Sequence, residues 1–141
     1  MDENTTGKET VITLRETNDI VNARQYARKL AVELGFNILD QTKIVTAISE
    51  LARNTVIWGK GGKATFEIII KKGNKAGLRA TFTDRGPGIS DVEKALEDGY
   101  TSGGGLGLGL GGAKRLMDEF EIESEIGKGT TVKVAKYKWY K

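Results

Sequence analysis

The run from Gly103 to Gly112 is interrupted only by Leu106, Leu108 and Leu110. Glycine at this density does not suit the interior of a helix or a strand, because each glycine loses the most backbone freedom and offers no side chain to pack. The segment is expected to open as a loop, with the rest of the 141-residue chain built around it. Its alternating leucines, and the helix expected from about Gly109 to Phe120, distinguish it from an ordinary linker. Gly103, Gly104, Gly105, Leu106, Gly107, Leu108 and Gly109 can present successive backbone N–H groups as a nest for anions, ahead of a helix N-terminus. Lys114 and Arg115 can add charge there or simply face solvent. A flexible loop with tight helix packing is the other reading. Gly107 to Gly112 also matches G-x-G-x-x-G, but no strand leads into it and too little chain follows for a dinucleotide fold.

The flanking segments predict one mixed, mostly antiparallel sheet with helices stacked on one face. Residues 1–8 are polar and expected to fray, leaving 9–141 as a single domain. Strands are expected at Glu9–Arg15, Ala64–Lys72, Leu78–Asp84, Phe120–Ile126 and Thr130–Tyr137. Lys72–Gly77 is the expected turn of the central hairpin, and Gly127-Lys-Gly129 that of the last. A first helix runs from a cap at Thr17 or Asn18 to Leu34, with Ile20, Ala23, Ala27, Leu30, Ala31 and Leu34 on its apolar stripe. A second, capped by Asn37, runs to about Trp58 on the stripe Ile44, Ile48, Leu51 and Thr55. Asp91–Asp98 predicts a short helix.

The chain contains neither Cys nor His. This excludes disulfides, Cys/His zinc sites, Cys nucleophiles and Ser-His-Asp triads. A catalytic base must be Asp, Glu, Lys or Tyr, and a metal must be a hard, oxygen-liking cation such as magnesium. Net charge is only +3, with Lys and Glu scattered, which argues against a nucleic-acid stripe. No apolar run reaches the length of a membrane span, and the acidic opening Met1-Asp2-Glu3-Asn4 does not read as a signal peptide, so the expected compartment is the cytoplasm.

Two further motifs carry chemistry. Glu50 and Asn54 lie four apart and share a helix face at the flank of the core stripe. An Asn oxygen can ligate magnesium, and a carboxylate one turn away can accept a proton from a hydroxyl directed at a phosphate. The same spacing also describes a solvated acid paired with Arg53 or Lys43. Asp84-Arg-Gly-Pro-Gly88 ends a strand and reads either as a turn or as a base-reading loop. In the second reading Asp84 accepts a hydrogen bond from the adenine amino group, where guanine offers an acceptor instead. Gly86 and Gly88 would then let the backbone approach the flat base.

Taken in order, Glu50/Asn54, Asp84/Gly86/Gly88, Gly103 to Gly112 and Gly127-x-Gly-Thr130 resemble the boxes of the ATP-binding domain shared by gyrase, Hsp90-type chaperones, histidine kinases and MutL. The resemblance covers roughly residues 10–137. Within that superfamily, Ala47-Ile-Ser-Glu-Leu-Ala-Arg-Asn54 and Lys114-Arg-Leu-Met-Asp-Glu-Phe120 are similar to stressosome switch kinases. The resemblance implies a Bergerat-type α/β two-layer sandwich that binds ATP and Mg2+. It implies that Asn54 holds the metal, Glu50 is the base and Asp84 reads adenine. It further implies that Gly103–Gly109 and a lid at about Ile89–Ser102 wrap the triphosphate, and that Thr130 supports the adenine pocket. The lid is short for the superfamily and contains no Phe box.

No chain remains for a transducing domain, and no histidine is present to be phosphorylated. The resemblance therefore implies a kinase acting in trans on Ser or Thr of STAS-domain scaffold and antagonist proteins, and activating a PP2C-type phosphatase once released. The alternative within the superfamily is an anti-sigma factor kinase that binds a sigma factor and phosphorylates its antagonist. A module that uses ATP only as a structural ligand is a third reading, opposed by the intact Glu50 and Asn54.

Overall fold

The computed structural model describes residues 3–97, 101–102, 106–107 and 109–139. Their order is β1 (Glu3–Leu14), α1 (Thr17–Glu33), α2 (Ile38–Arg53), a π-helical turn (Asn54–Trp58), β2 (Gly62–Lys71), β3 (Lys75–Asp84), α3 (Val92–Ala95), β4 (Thr101–Ser102), β5 (Leu106–Gly107), α4 (Leu110–Leu116), β6 (Glu119–Glu125) and β7 (Gly129–Trp139).

The helices form where spacing and caps agree. The Asp19 carboxylate accepts backbone N–H bonds from Arg15 at 2.8 Å and Glu16 at 3.1 Å, fixing the start of α1 one residue ahead of the expected cap. The helix ends in a Schellman turn: Gly35 N–H donates to Val32 at 3.0 Å and Phe36 N–H to Ala31 at 3.0 Å. Phe36 then folds back into the core. Asn37 caps α2 by accepting from Asp40 N–H at 2.8 Å. Ile20, Ala23, Ala27, Leu30 and Ala31 of the expected α1 stripe are buried and Leu34 only partly so, while Ile44, Ile48, Leu51 and Thr55 of the second stripe are all buried.

The large sheet runs β1-β2-β3-β7-β6. Every ladder in it is antiparallel, so the expected mixed sheet is wholly antiparallel among the described residues. Strand β1 begins at Glu3, not Glu9; Glu3–Thr5 pairs with Lys71–Ile69, and the register shifts between Thr5 and Glu9. The segment expected to fray is thus strand from Glu3 onward. The central hairpin is tighter than expected: Gly73 and Asn74 take φ of 80° and 61°, and Lys71 pairs directly with Lys75. Helix α3 is one turn, capped by Asp91 accepting from Lys94 N–H at 3.0 Å. Helix α4 stops at Leu116 because the chain extends at Met117 and Phe120 already belongs to β6. The Asp118 carboxylate ties that corner down, accepting from Tyr137 N–H at 2.7 Å.

One face of the sheet carries the helices. Ala64, Phe66, Leu78, Ala80, Phe82, Val132 and Val134 alternate onto it and join the apolar stripes of α1, α2 and α4 in one core. Phe66 sits at the centre, edge-on to Tyr26 at 5.3 Å and to Phe82 at 6.4 Å.

Candidate nucleotide site

Between the end of α2, the ends of β3 and β7 and the start of α4 the core opens into a cleft. Leu51, Phe82, Leu110 and Val132 give it apolar walls, and Asn54, Asp84 and Thr130 face into it. Three of the polar residues singled out in sequence therefore converge from positions far apart in the chain.

Helix geometry sets the first of them. Residues four apart in an α-helix drift by about 40° at 3.6 residues per turn. At Asn54 the bonding changes: Gly59 N–H donates to Asn54 C=O at 2.8 Å, an i→i+5 bond. With the wider π-turn Asn54 and Trp58 both line the cleft, while Glu50, one turn earlier, is not among its lining residues. Glu50 lies at the glycine-loop end. A Cβ on Gly109 would sit 2.5 Å from Glu50 Oε2, and Gly109 has φ of +64°. The backbone conformation there favours glycine, and a Cβ would displace the Glu50 carboxylate.

Asp84 is held at the other end. Its carboxylate accepts from Gly86 N–H at 2.9 Å. Burial pushes its carboxyl above the usual carboxylate range, and the N–H bonds from Gly86 and Thr130 only partly oppose this. The π-turn ends against this loop. A Cβ on Gly86 would lie 2.7 Å from Gly59 Cα, and one on Gly59 would collide with the Asp84 carboxylate. A Cβ on Gly88 would collide with the Glu125 carbonyl. Gly86 and Gly88 were expected to clear space for a base. In the structure both are packed against backbone, Gly86 on Gly59 and Gly88 on Glu125.

Thr130 pairs with Asp84 across β3 and β7. Its hydroxyl lies 2.7 Å from Ser124 Oγ, which also accepts from Ile89 N–H at 2.8 Å. Ser124 thus joins the loop after Asp84 to Thr130. Sequence reading missed Ser124, Trp58 and Gly59. The first sits in the run Glu121-Ile-Glu-Ser-Glu125 and looks like one more polar strand residue. Gly59 looks like a helix stop, and Trp58 like the last apolar residue before it.

In the second glycine box, Leu106–Gly107 pairs with Thr101–Ser102 and Gly109 leads into α4. Gly103, Gly104, Gly105 and Leu108 lie outside the described residues, as does the part of the expected lid at 98–100. Lys114 and Arg115 are exposed.

Among the described residues no group of three or more His, Cys, Asp or Glu could hold a metal ion. A divalent cation in this cleft would therefore take most of its ligands from phosphate oxygens and water, with Asn54 as a neutral protein donor. That donor set suits magnesium, which keeps several waters and needs few protein ligands. No helix among the described residues is long and apolar enough to cross a membrane.

A layered sheet and helices with this cleft at their edge define a class, and the chain belongs to it: the histidine kinase-like ATPase domain family, whose sequence profile matches residues 13–136. Within the class the chain is 50% identical over 119 residues to serine/threonine-protein kinase RsbT of Bacillus subtilis strain 168, covering 84% of this chain and 89% of that one. Identity and coverage of this extent place it in the family of that serine/threonine kinase. It is 36% identical over 121 residues to the anti-sigma F factor of Thermoanaerobacter sp. strain X514, covering 82% of each. Among solved structures it resembles the RsbU and RsbW domains of Rv1364c from Mycobacterium tuberculosis, with a TM-score of 0.62 and 25% identity over 92% of this chain and 32% of that one.

Proposed function

We propose that this kinase transfers the γ-phosphate of Mg-ATP to Ser or Thr of STAS-domain scaffold and antagonist proteins in a stressosome-type partner switch in the cytoplasm. The observation that carries the reading is the convergence of Asn54, Asp84 and Thr130 on one cleft, with Glu50 one helical turn before Asn54 and against Gly109, in a chain half identical to RsbT.

Each residue has a distinct task. Asp84 accepts the adenine amino hydrogen bond and rejects guanine, and Thr130 braces that end of the cleft. Apolar walls from Leu51, Phe82 and Val132 exclude water from the flat base. Magnesium, held by Asn54 and the phosphates, offsets phosphate charge. The glycine box Gly103–Gly109 surrounds the triphosphate with backbone N–H groups. Glu50 accepts the proton of the incoming Ser or Thr hydroxyl as it attacks phosphorus. Catalysis on this account is positioning and charge stabilisation. Phosphorylation adds charge to the partner's docking surface and frees the kinase to activate a PP2C-type phosphatase.

The test uses γ-labelled Mg-ATP, a purified STAS-domain protein and either the native chain or Glu50→Gln. The native chain should label Ser or Thr. The variant should bind Mg-ATP normally and transfer roughly 10²- to 10⁴-fold more slowly, the usual contribution of a general base. Full transfer by Glu50→Gln would remove Glu50 from the base role, and no label from the native chain would remove the substrate class. A stable complex with a sigma factor would instead favour the anti-sigma reading.

A further inference from the structure

Trp58 ends the π-turn and lines the cleft beside Asn54 and Asp84. Its indole Nε1 is fully buried and has no hydrogen-bond partner among the described residues. The indole N–H is a donor with no acceptor capacity, and a buried one normally has a partner because leaving it unmade forfeits its hydration. The nearby walls are apolar. Thr55, the adjacent hydroxyl, donates to Leu51 C=O at 3.0 Å without meeting the indole.

We propose that Trp58 reads the base: its Nε1–H donates to a ring nitrogen of the adenine bound in the cleft. The inference rests on the ATP reading above and adds a second polar contact to the one assigned to Asp84. Position along the helix selects the base over the phosphates. The line Glu50, Asn54, Trp58 runs from the glycine-loop end toward Gly59, which packs on the Asp84 carboxylate. Trp58 therefore belongs to the Asp84 end. With the exocyclic amino group held by Asp84, the acceptors nearest it are the two ring nitrogens that flank that group, N1 and N7. Asp84 then accepts while Trp58 donates, and the pair fixes the base in one orientation. The π-turn has a purpose in this arrangement, since an unbroken α-helix would carry residue 58 further round from Asn54.

Binding of ATP and its 1-deaza, 3-deaza and 7-deaza analogues to the native chain and to Trp58→Phe, by titration calorimetry, tests this. Phenylalanine keeps a ring and removes the N–H. Trp58→Phe should bind ATP about tenfold more weakly. Either the 1-deaza or the 7-deaza analogue should bind the native chain about tenfold more weakly than ATP and show no further loss with Trp58→Phe. The 3-deaza analogue should lose the same factor as ATP on substitution. Equal ATP affinity in the two proteins, or analogue losses identical in both, would overturn the proposal while leaving ATP binding intact. The analogue series on the native chain is informative even if the variant folds poorly, because full affinity for both the 1-deaza and 7-deaza forms would overturn it alone. Absence of ATP binding by the native chain would overturn both readings.

Discussion

Asp84 is in tension between its environment and the task proposed for it. It accepts most strongly from an amino group when ionised, yet burial favours its protonated form. The folded chain holds that proton more tightly than an unfolded chain does. Stability therefore falls as pH rises from the ordinary carboxylate range through the raised value, and is flat above it. At neutral pH the charge is a cost the fold carries, which the proposed binding role would explain. Asn in its place keeps an oxygen for the Gly86 and Thr130 N–H groups and removes the charge. Asp84→Asn should melt at the native temperature or above it at pH 7, while binding ATP at least about tenfold more weakly, a difference of about 1.4 kcal/mol. Native affinity should also decline on the acid side as Asp84 takes up its proton, and the Asn variant should lack that limb. Thermal melts and ATP titrations from pH 4 to pH 8 decide it; a variant melting several degrees lower would mean that the charge stabilises the fold.

At the scale of elements, the junction of the π-turn with the loop after β3 does the positioning. Gly59 has an ordinary helical φ of −77°, so alanine there introduces no backbone strain. Its Cβ would collide with the Asp84 carboxylate. Gly59→Ala should therefore destabilise by about 1–3 kcal/mol through overpacking and weaken nucleotide binding with it. Chemical denaturation beside ATP titration checks this, and an unchanged midpoint would show that the junction yields freely. This junction was not legible in the sequence. The stripe Ile44, Ile48, Leu51, Thr55 predicts a helix through to Trp58, and that much holds. A change from i→i+4 to i→i+5 bonding shifts single hydrogen bonds and leaves the apolar pattern intact, so periodicity cannot reveal it. The first strand was legible only from Glu9 because Asn4 to Lys8 offers no apolar alternation; pairing with β2 extends it. Asp84 and Thr130 were legible because each stands at an element end beside a glycine motif, and Asn54 because it lies one helical turn from Glu50. Ser124 and Trp58 were not, since their significance comes from what lies across the sheet or cleft from them.

Across the whole molecule the cleft touches α2, the π-turn, β3, β7 and α4, so a ligand seated there bridges elements from both layers. Its binding free energy should appear as global stability. A ligand that binds only the folded state adds about 2.7 kcal/mol at a hundredfold excess over its dissociation constant. For a domain of this size 1 kcal/mol is worth roughly 4 °C in melting temperature, so saturating Mg-ATP should raise it by about 10 °C. The rise should grow with the logarithm of ATP concentration, shrink when EDTA removes the metal, and be small with GTP. Asn54→Ala should lose the part of the shift that depends on magnesium and keep the part that ATP gives without it. Differential scanning calorimetry across an ATP series reads all of these. A melting temperature that does not respond to Mg-ATP at millimolar concentration would separate the cleft from the nucleotide, and the convergence of Asn54, Asp84 and Thr130 would then need a different ligand to account for it.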